Sequence, residues 1–220
     1  MSLEVLKIQH NTPEWYAFRK TGVGGSDAAA ILGLSPWRTN VDVWEEKVGI
    51  KVPDDISRNA AVEYGIAAED PLVKLFALDF PEYDVKIDKS VVYRRGFMFA
   101  SLDAELLDKE TQELGILEIK TTEPRSAVAL EKWDRAVPEY YYVQVLHQLI
   151  VTGREYAFLK AQIKKIGGNG LPRIQTEHYP YLRGDLREDM RYLYLEEKKF
   201  WGYVERNERP PLLLPDFRRN

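Results

Sequence analysis

The sequence predicts an α/β protein with a mixed central β-sheet flanked by helices. Two runs rich in apolar residues, 98–107 (MFASLDAELL) and 115–120 (GILEIK), read as strands. The polar stretch from Asp108 to Glu113 reads as the hairpin turn between them. A helical pattern over 139–152 then separates this hairpin from further strands near 155–164 and 173–179, and serves as a crossover. Helices, sheet, crossover helix and more sheet, in that order, suit an α/β sandwich. At 220 residues with no long linker, the chain supports one sizeable core, and we expect a single domain over 1–220.

The elements follow in order. Thr12-Pro13-Glu14 has the marks of a helix start near 13–20: a hydroxyl cap, proline at the first helical position and an acid in the first turn. Gly22, Gly24 and Gly25 end that helix and allow a tight turn. Ser26 is expected to cap a second helix from Asp27 to Leu32, which Gly33 closes. Further helices are expected at 40–48 and 58–79, then strands near 84–88 and 91–95 leading into the hairpin. A helix near 126–133 precedes Pro138. Tyr140 to Gln148 (YYYVQVLHQ) alternates enough to mimic a strand, but the Gln144/Gln148 and Tyr141/Val145 spacings and the stop at Gly153 favour a helix. Lys164 to Gly170 (KKIGGNG) is expected to be a flexible loop, and 183–207 a long final helix.

Composition narrows the function classes. A hydrophobic content of 45% is that of a globular protein. There is no apolar run of the roughly 18 residues a membrane span needs. The N-terminus is short and polar, so no signal peptide is expected, and the expected location is cytoplasmic. Zero cysteines exclude disulfides and a cysteine-held iron–sulfur cluster. A net charge of −4 argues against a protein that coats DNA nonspecifically. The basic clusters Arg94-Arg95, Lys132 with Arg135, Lys164-Lys165 and Arg218-Arg219 read first as solvated faces. His147 lacks a second histidine at ligand spacing and reads as structural. The tyrosines and five tryptophans read as core, with base stacking the alternative.

The chemistry lies in Asp103 and in Glu118-Ile119-Lys120. Side chains alternate along a strand, so Glu118 and Lys120 point one way and Ile119 the other. Charged groups on one face of an apolar strand are costly to bury without a purpose. Two carboxylates, Asp103 and Glu118, with the backbone carbonyl of Ile119, offer hard oxygen ligands to a divalent cation, and Lys120 offers a positive charge beside them. Phosphodiester hydrolysis needs that set. A surface Glu–Lys pair is the ordinary alternative. A second candidate is the glycine-rich turn running into a helix start at Ser26, an arrangement suited to an anion, with Arg19 seven residues earlier. Ordinary helix packing with a cap is its alternative.

Taken in order, Trp15, Arg19, Gly24-Gly25-Ser26-Asp27, Ser35-Pro36-Trp37, Gly65 with Glu69, Asp103, Glu118 with Lys120, and Tyr141 with Gln144 resemble the YqaJ-type viral recombinases, the phage lambda exonuclease-like branch of the PD-(D/E)XK nucleases. The likeness runs from about Trp15 to Gly153; the last third carries no matching signature. The resemblance implies a restriction-endonuclease-like core forming a single nuclease domain. It implies Mg²⁺, with Mn²⁺ as a substitute, held by Asp103, Glu118 and the Ile119 carbonyl, and Lys120 as the catalytic lysine. Glu69 would face the metal, Gln144 would orient the nucleophile or the scissile phosphate, and Arg19 with Ser26 would hold a 5′-terminal phosphate. It also implies a 5′-to-3′ exonuclease on double-stranded DNA ends, a ring-shaped homotrimer and a single-strand annealing protein as partner. Two other readings stay open: a restriction-type or structure-selective endonuclease on the same core, which has no need of Arg19 and Ser26, and a catalytically silent DNA-end-binding adaptor, which has no need of all of Asp103, Glu118 and Lys120.

Overall fold

A computed structural model describes residues 2–54, 56, 58–166 and 171–214, with only the backbone of Ile166. The elements are β1 (Glu4–Lys7), α1 (Pro13–Arg19), β2 (Val23–Gly24), α2 (Gly25–Ile31), α3 (Asn40–Val48), α4 (Ala60–Asp79), β3 (Tyr83–Lys86), β4 (Val91–Arg95), β5 (Met98–Ala100), β6 (Ala104–Asp108), β7 (Leu114–Thr122), α5 (Ala127–Glu131), α6 (Glu139–Thr152), β8 (Tyr156–Ile166), β9 (Pro172–Leu182) and, after a 3-10 turn at Arg183–Leu186, α7 (Arg187–Glu205). They build a five-stranded mixed sheet in the order β3-β6-β7-β8-β9 and a four-stranded sheet in the order β1-β4-β5-β2.

The larger sheet is the expected one. β7 pairs antiparallel with β6 and parallel with β8, with α5 and α6 as the crossover. Strand alternation divides its side chains between two helical layers. Leu117 and Ile119 face the α4 side and pack with Leu72, Val73 and Phe76. Ile116, with Ala157 and Leu159 of β8, faces the other side and packs with Val145, Leu146 and Leu149 of α6. Each such fully buried aliphatic side chain contributes about 1.5–3 kcal/mol.

Several elements differ from expectation, each for a physical reason. The run 98–107 is not one strand. Met98–Ala100 belongs to the small sheet and Ala104–Asp108 to the large one, and the chain changes sheet at Ser101–Leu102–Asp103. An unbroken apolar run conceals this because both halves are core. The α2 helix begins two residues earlier than expected and its cap is Gly24, not Ser26. The Asp27 carboxylate reaches back to accept the Gly24 N–H at 3.0 Å, while the serine hydroxyl accepts from Arg19. Gly33 follows in the left-handed region, φ +72°, as a helix stop requires. β1 and β2, short edge pieces of the small sheet, carried no readable pattern. Lys164–Ile166 of the expected loop is the end of β8; 167–170 lie outside the described residues, as do Arg218 and Arg219. Arg94 and Arg95 are not a solvated basic face: Arg94 donates to Thr21 and to the Gly96 carbonyl, and Arg95 to the Val151 carbonyl. The Thr12 cap stands as expected, its hydroxyl accepting the Trp15 N–H.

Candidate active site

The site is built where β6 leaves the large sheet and β7 continues. The β6–β7 ladder ends at Ala104 opposite Leu117. Beyond that point Asp103 substitutes its side chain for the missing strand: Oδ2 accepts the Ile119 N–H at 2.7 Å. The N–H and C=O of one residue point to the same edge of a strand. The Ile119 carbonyl therefore lies on the open edge beside Asp103, where a main-chain oxygen ligand was expected.

Glu118 and Lys120 share the α6 face of β7, as alternation requires, and Lys120 Nζ donates to Glu118 Oε1 at 2.5 Å. Gln144 Nε2 donates to the same oxygen at 2.6 Å. Gln148, one helical turn further along α6, donates to Glu118 Oε2 at 2.6 Å. Glu118 is 2% exposed and Gln148 1%, so this carboxylate is oriented from both sides inside the protein. Gly25 makes the approach of α2 to α6 possible: a Cβ there would stand 3.3 Å from Gln144 Cγ. Gly65 does the same for α4 against β7, where a Cβ would stand 3.3 Å from Thr121 Oγ1.

Burial, and then the Glu118 and Glu69 carboxylates, push the Asp103 carboxyl well above the usual range. Burial drags the Lys120 ammonium down, but Glu118 and Asp103 overcome it and hold it above its ordinary value. Glu69 on α4 is thus close enough to act on Asp103 electrostatically, while its carboxylate is paired with Lys89 at 3.0 Å. Among the described residues no three His, Asp or Glu side chains close into a ready-made cation cage. The candidate donors at this edge are the Asp103 and Glu118 carboxylates and the Ile119 carbonyl. Hard oxygen donors with crowded negative charge fit a divalent cation that keeps part of its water shell.

The second expected group also assembles. Arg19 Nη2 donates to Ser26 Oγ at 3.3 Å. Two basic residues not singled out in the sequence join it. Arg38 donates to the Ser26 carbonyl at 3.1 Å and makes a short ion pair with Asp27, and Lys47 donates to Asp27 at 2.7 Å. Asp27 is fully buried. Burial alone would raise its carboxyl, but Lys47, Arg38 and Arg19 hold it far below the usual carboxylate range. The Gly24 amide is taken by Asp27, and the guanidinium groups of Arg19 and Arg38 with the Ser26 hydroxyl lie beside the helix start.

His147 is structural, as expected. Its Nδ1 meets Glu197 of α7 at 2.8 Å and its Nε2 the Phe99 carbonyl at 2.9 Å. Burial pulls its pKa down, but the Glu197 carboxylate wins and raises it. Sequence reasoning missed Gln148, Arg38, Asp27, Lys47 and Glu197. Only Gln148 had a usable signal, a second amide one turn from Gln144 on an apolar helix face.

Among the described residues no helix is long and apolar enough to cross a membrane. The chain is similar to known structures and sequences. It superposes on an alkaline exonuclease, LHK-Exo, from Laribacter hongkongensis with a TM-score of 0.56 at 18% identity, covering 89% of this chain and 94% of that one. A phage-related exonuclease from Haemophilus somnus 129PT gives 0.53 at 10% identity over 87% and 98%. The protein in a SOX–DNA complex gives 0.54 at 12% identity over 89% and 68%. The fold they share with it is restriction-endonuclease-like. The uncharacterized protein YqaJ of Bacillus subtilis (strain 168) is 34% identical over 198 residues, 86% of this chain and 55% of that protein. The chain therefore spans about half the length of that relative. Residues 14–155, which contain Arg19, Ser26, Glu69, Asp103, Glu118, Lys120, Gln144 and Gln148, match the model of the YqaJ-like viral recombinase domain, and the chain belongs to that family.

Proposed function

We propose that the protein is a divalent-cation-dependent exonuclease that digests one strand of duplex DNA, 5′ to 3′, from 5′-phosphorylated ends. The observation that carries this reading is the convergence of Asp103, Glu118 and Lys120 at the open edge of β7. The family, and a fold shared with proteins described as exonucleases and with one seen in complex with DNA, support it. Asp103, Glu118 and the Ile119 carbonyl would hold Mg²⁺, or Mn²⁺ in its place, which when bound supplies Lewis-acid polarisation of the scissile phosphate. Lys120, held positively charged by its two carboxylate neighbours, balances the charge that develops on the phosphate and orients the attacking water. Gln144 lies half-buried on Glu118 and is placed to position the same water or phosphate. Arg19 and Ser26, joined by Arg38, hold the terminal phosphate: a guanidinium suits that dianion in charge and shape. A strand-degrading enzyme of this kind prepares single strands for annealing, so a single-strand annealing protein is the partner we propose, with a homotrimeric ring around the duplex.

The test is a time course on linear duplex carrying one labelled 5′-phosphate end, with and without Mg²⁺. Stepwise release of nucleotides from the phosphorylated strand is expected, dependent on the cation and lost in Asp103→Ala. Internal cuts, or undiminished cleavage by the Asp103 variant, would overturn the reading.

A further inference from the structure

Trp37 leaves 69% of its surface in water, whereas Trp15, Trp44 and Trp133 are buried at 7%, 6% and 5%. Its main chain is anchored nonetheless: the backbone N–H donates to Ser35 Oγ at 3.2 Å. Its ring lies edge-on to Tyr140, with centroids 5.0 Å apart, and 6.3 Å from Tyr141. Tyr141 in turn lies beneath Lys120 Nζ, 5.1 Å from the ring centroid. On its other side Trp37 is followed directly by Arg38, which binds Ser26 and Asp27. A run of contacts thus leads from Lys120 through Tyr141 and Tyr140 to Trp37, with Arg38 next in the chain. Its middle is aromatic, and the charged group at each end is paired within the chain, Lys120 with Glu118 and Arg38 with Asp27 and Glu46.

We propose that Trp37, with Tyr140 and Tyr141, forms a nucleobase-stacking subsite that takes an unpaired base of the strand entering the site. This rests on the nuclease reading. A nucleic-acid strand carries flat bases beside its phosphates, and this surface sets an exposed ring beside Lys120 and Glu118 of the candidate active site. The occupant follows from continuity with the candidate active site, where the phosphate of that strand lies under the nuclease reading. Aromatic faces stack every base, so the subsite binds without regard to sequence. Removing one such platform weakens binding about 5- to 150-fold.

The probe is a 5′-phosphorylated duplex with a short unpaired end, and a set of the same duplex with single abasic nucleotides scanned along that end. Affinity is read by anisotropy in EDTA, and KM and kcat with Mg²⁺. In the wild type, one abasic position should lose about 5- to 150-fold in affinity. Trp37→Ala should lose a similar factor on the intact probe, mostly in KM, and become indifferent to that abasic position. Trp37→Phe should restore most of both. An equal abasic penalty in the wild type and Trp37→Ala, or no position that Trp37 governs, would overturn the subsite while leaving the nuclease reading untouched. A wild-type protein that neither binds nor cuts the intact probe would overturn the nuclease reading and the subsite with it.

Discussion

Asp27 offers the sharpest test of how the cationic cluster is held. Its side chain is 0% exposed and accepts from Gly24 N–H at 3.0 Å and Lys47 Nζ at 2.7 Å, with Arg38 in a short ion pair and Arg19 Nη2 at 3.5 Å. Asp27→Ala removes the carboxylate that Lys47 pairs with, leaving Arg38 its second partner Glu46 at 2.8 Å but the Lys47 ammonium, 3% exposed, with the Arg19 carbonyl at 2.7 Å beside two guanidinium groups. Removing one partner of a buried ion pair costs about 3–5 kcal/mol. For a chain of this size 1 kcal/mol corresponds to about 2–4 °C in Tm, so a fall of about 6–20 °C is expected. The assay is urea and thermal unfolding by circular dichroism. Lys47→Met in the Asp27→Ala background should recover part of the loss, because it removes the stranded charge. The pH dependence has a definite sign. The Asp27 carboxyl lies below its unfolded value of 3.8, so its contribution is complete above that pH and is lost as pH falls toward the folded value. Asp27→Asn should therefore show a shallower loss of stability below about pH 4 than the wild type. A destabilisation under about 1 kcal/mol for Asp27→Ala, with no recovery on Lys47→Met, would refute the reasoning.

Three further outcomes are expected. Arg19→Ala should lose most of the preference for 5′-phosphorylated over 5′-hydroxyl ends, measured as the ratio of initial digestion rates. Equal rates on both ends in the wild type would sink the phosphate role. Gln148→Leu leaves Glu118 Oε2 without its buried donor, and it should weaken the divalent cation about 10- to 100-fold, read as the Mg²⁺ concentration for half-maximal cleavage. An unchanged Mg²⁺ requirement would show that Gln148 only packs. Light scattering behind a sizing column should give about three times the 25.5 kDa chain mass, and a clean monomer at micromolar concentration that still digests DNA processively would rule out the ring.

The sequence by itself determined the features that depend on a few neighbouring residues. Thr12 caps α1 because a hydroxyl three residues before a free N–H reaches it wherever the helix starts. Glu118 and Lys120 share a face because a strand has a period of two, and no packing detail alters that. Glu139–Thr152 is a helix closed by Gly153 for equally local reasons. Tertiary structure decided everything that rests on one residue answering another far along the chain. An apolar run such as Met98–Leu107 satisfies either sheet, so only the competition between β4 and β7 for its two halves broke it at Ser101–Asp103 and freed the Asp103 carboxylate for the Ile119 amide. Ser26 read as a cap, but Asp27 reached the Gly24 amide instead, because Lys47 and Arg38 arrive from elsewhere to make its burial as a charge tolerable. Trp37 has the composition of a core residue and became surface in the connection between α2 and α3, where Ser35 is buried and Pro36 and Trp37 are exposed. Backbone periodicity is local and survives in any context, whereas burying a charge or exposing a ring is settled only by what the rest of the chain places beside it.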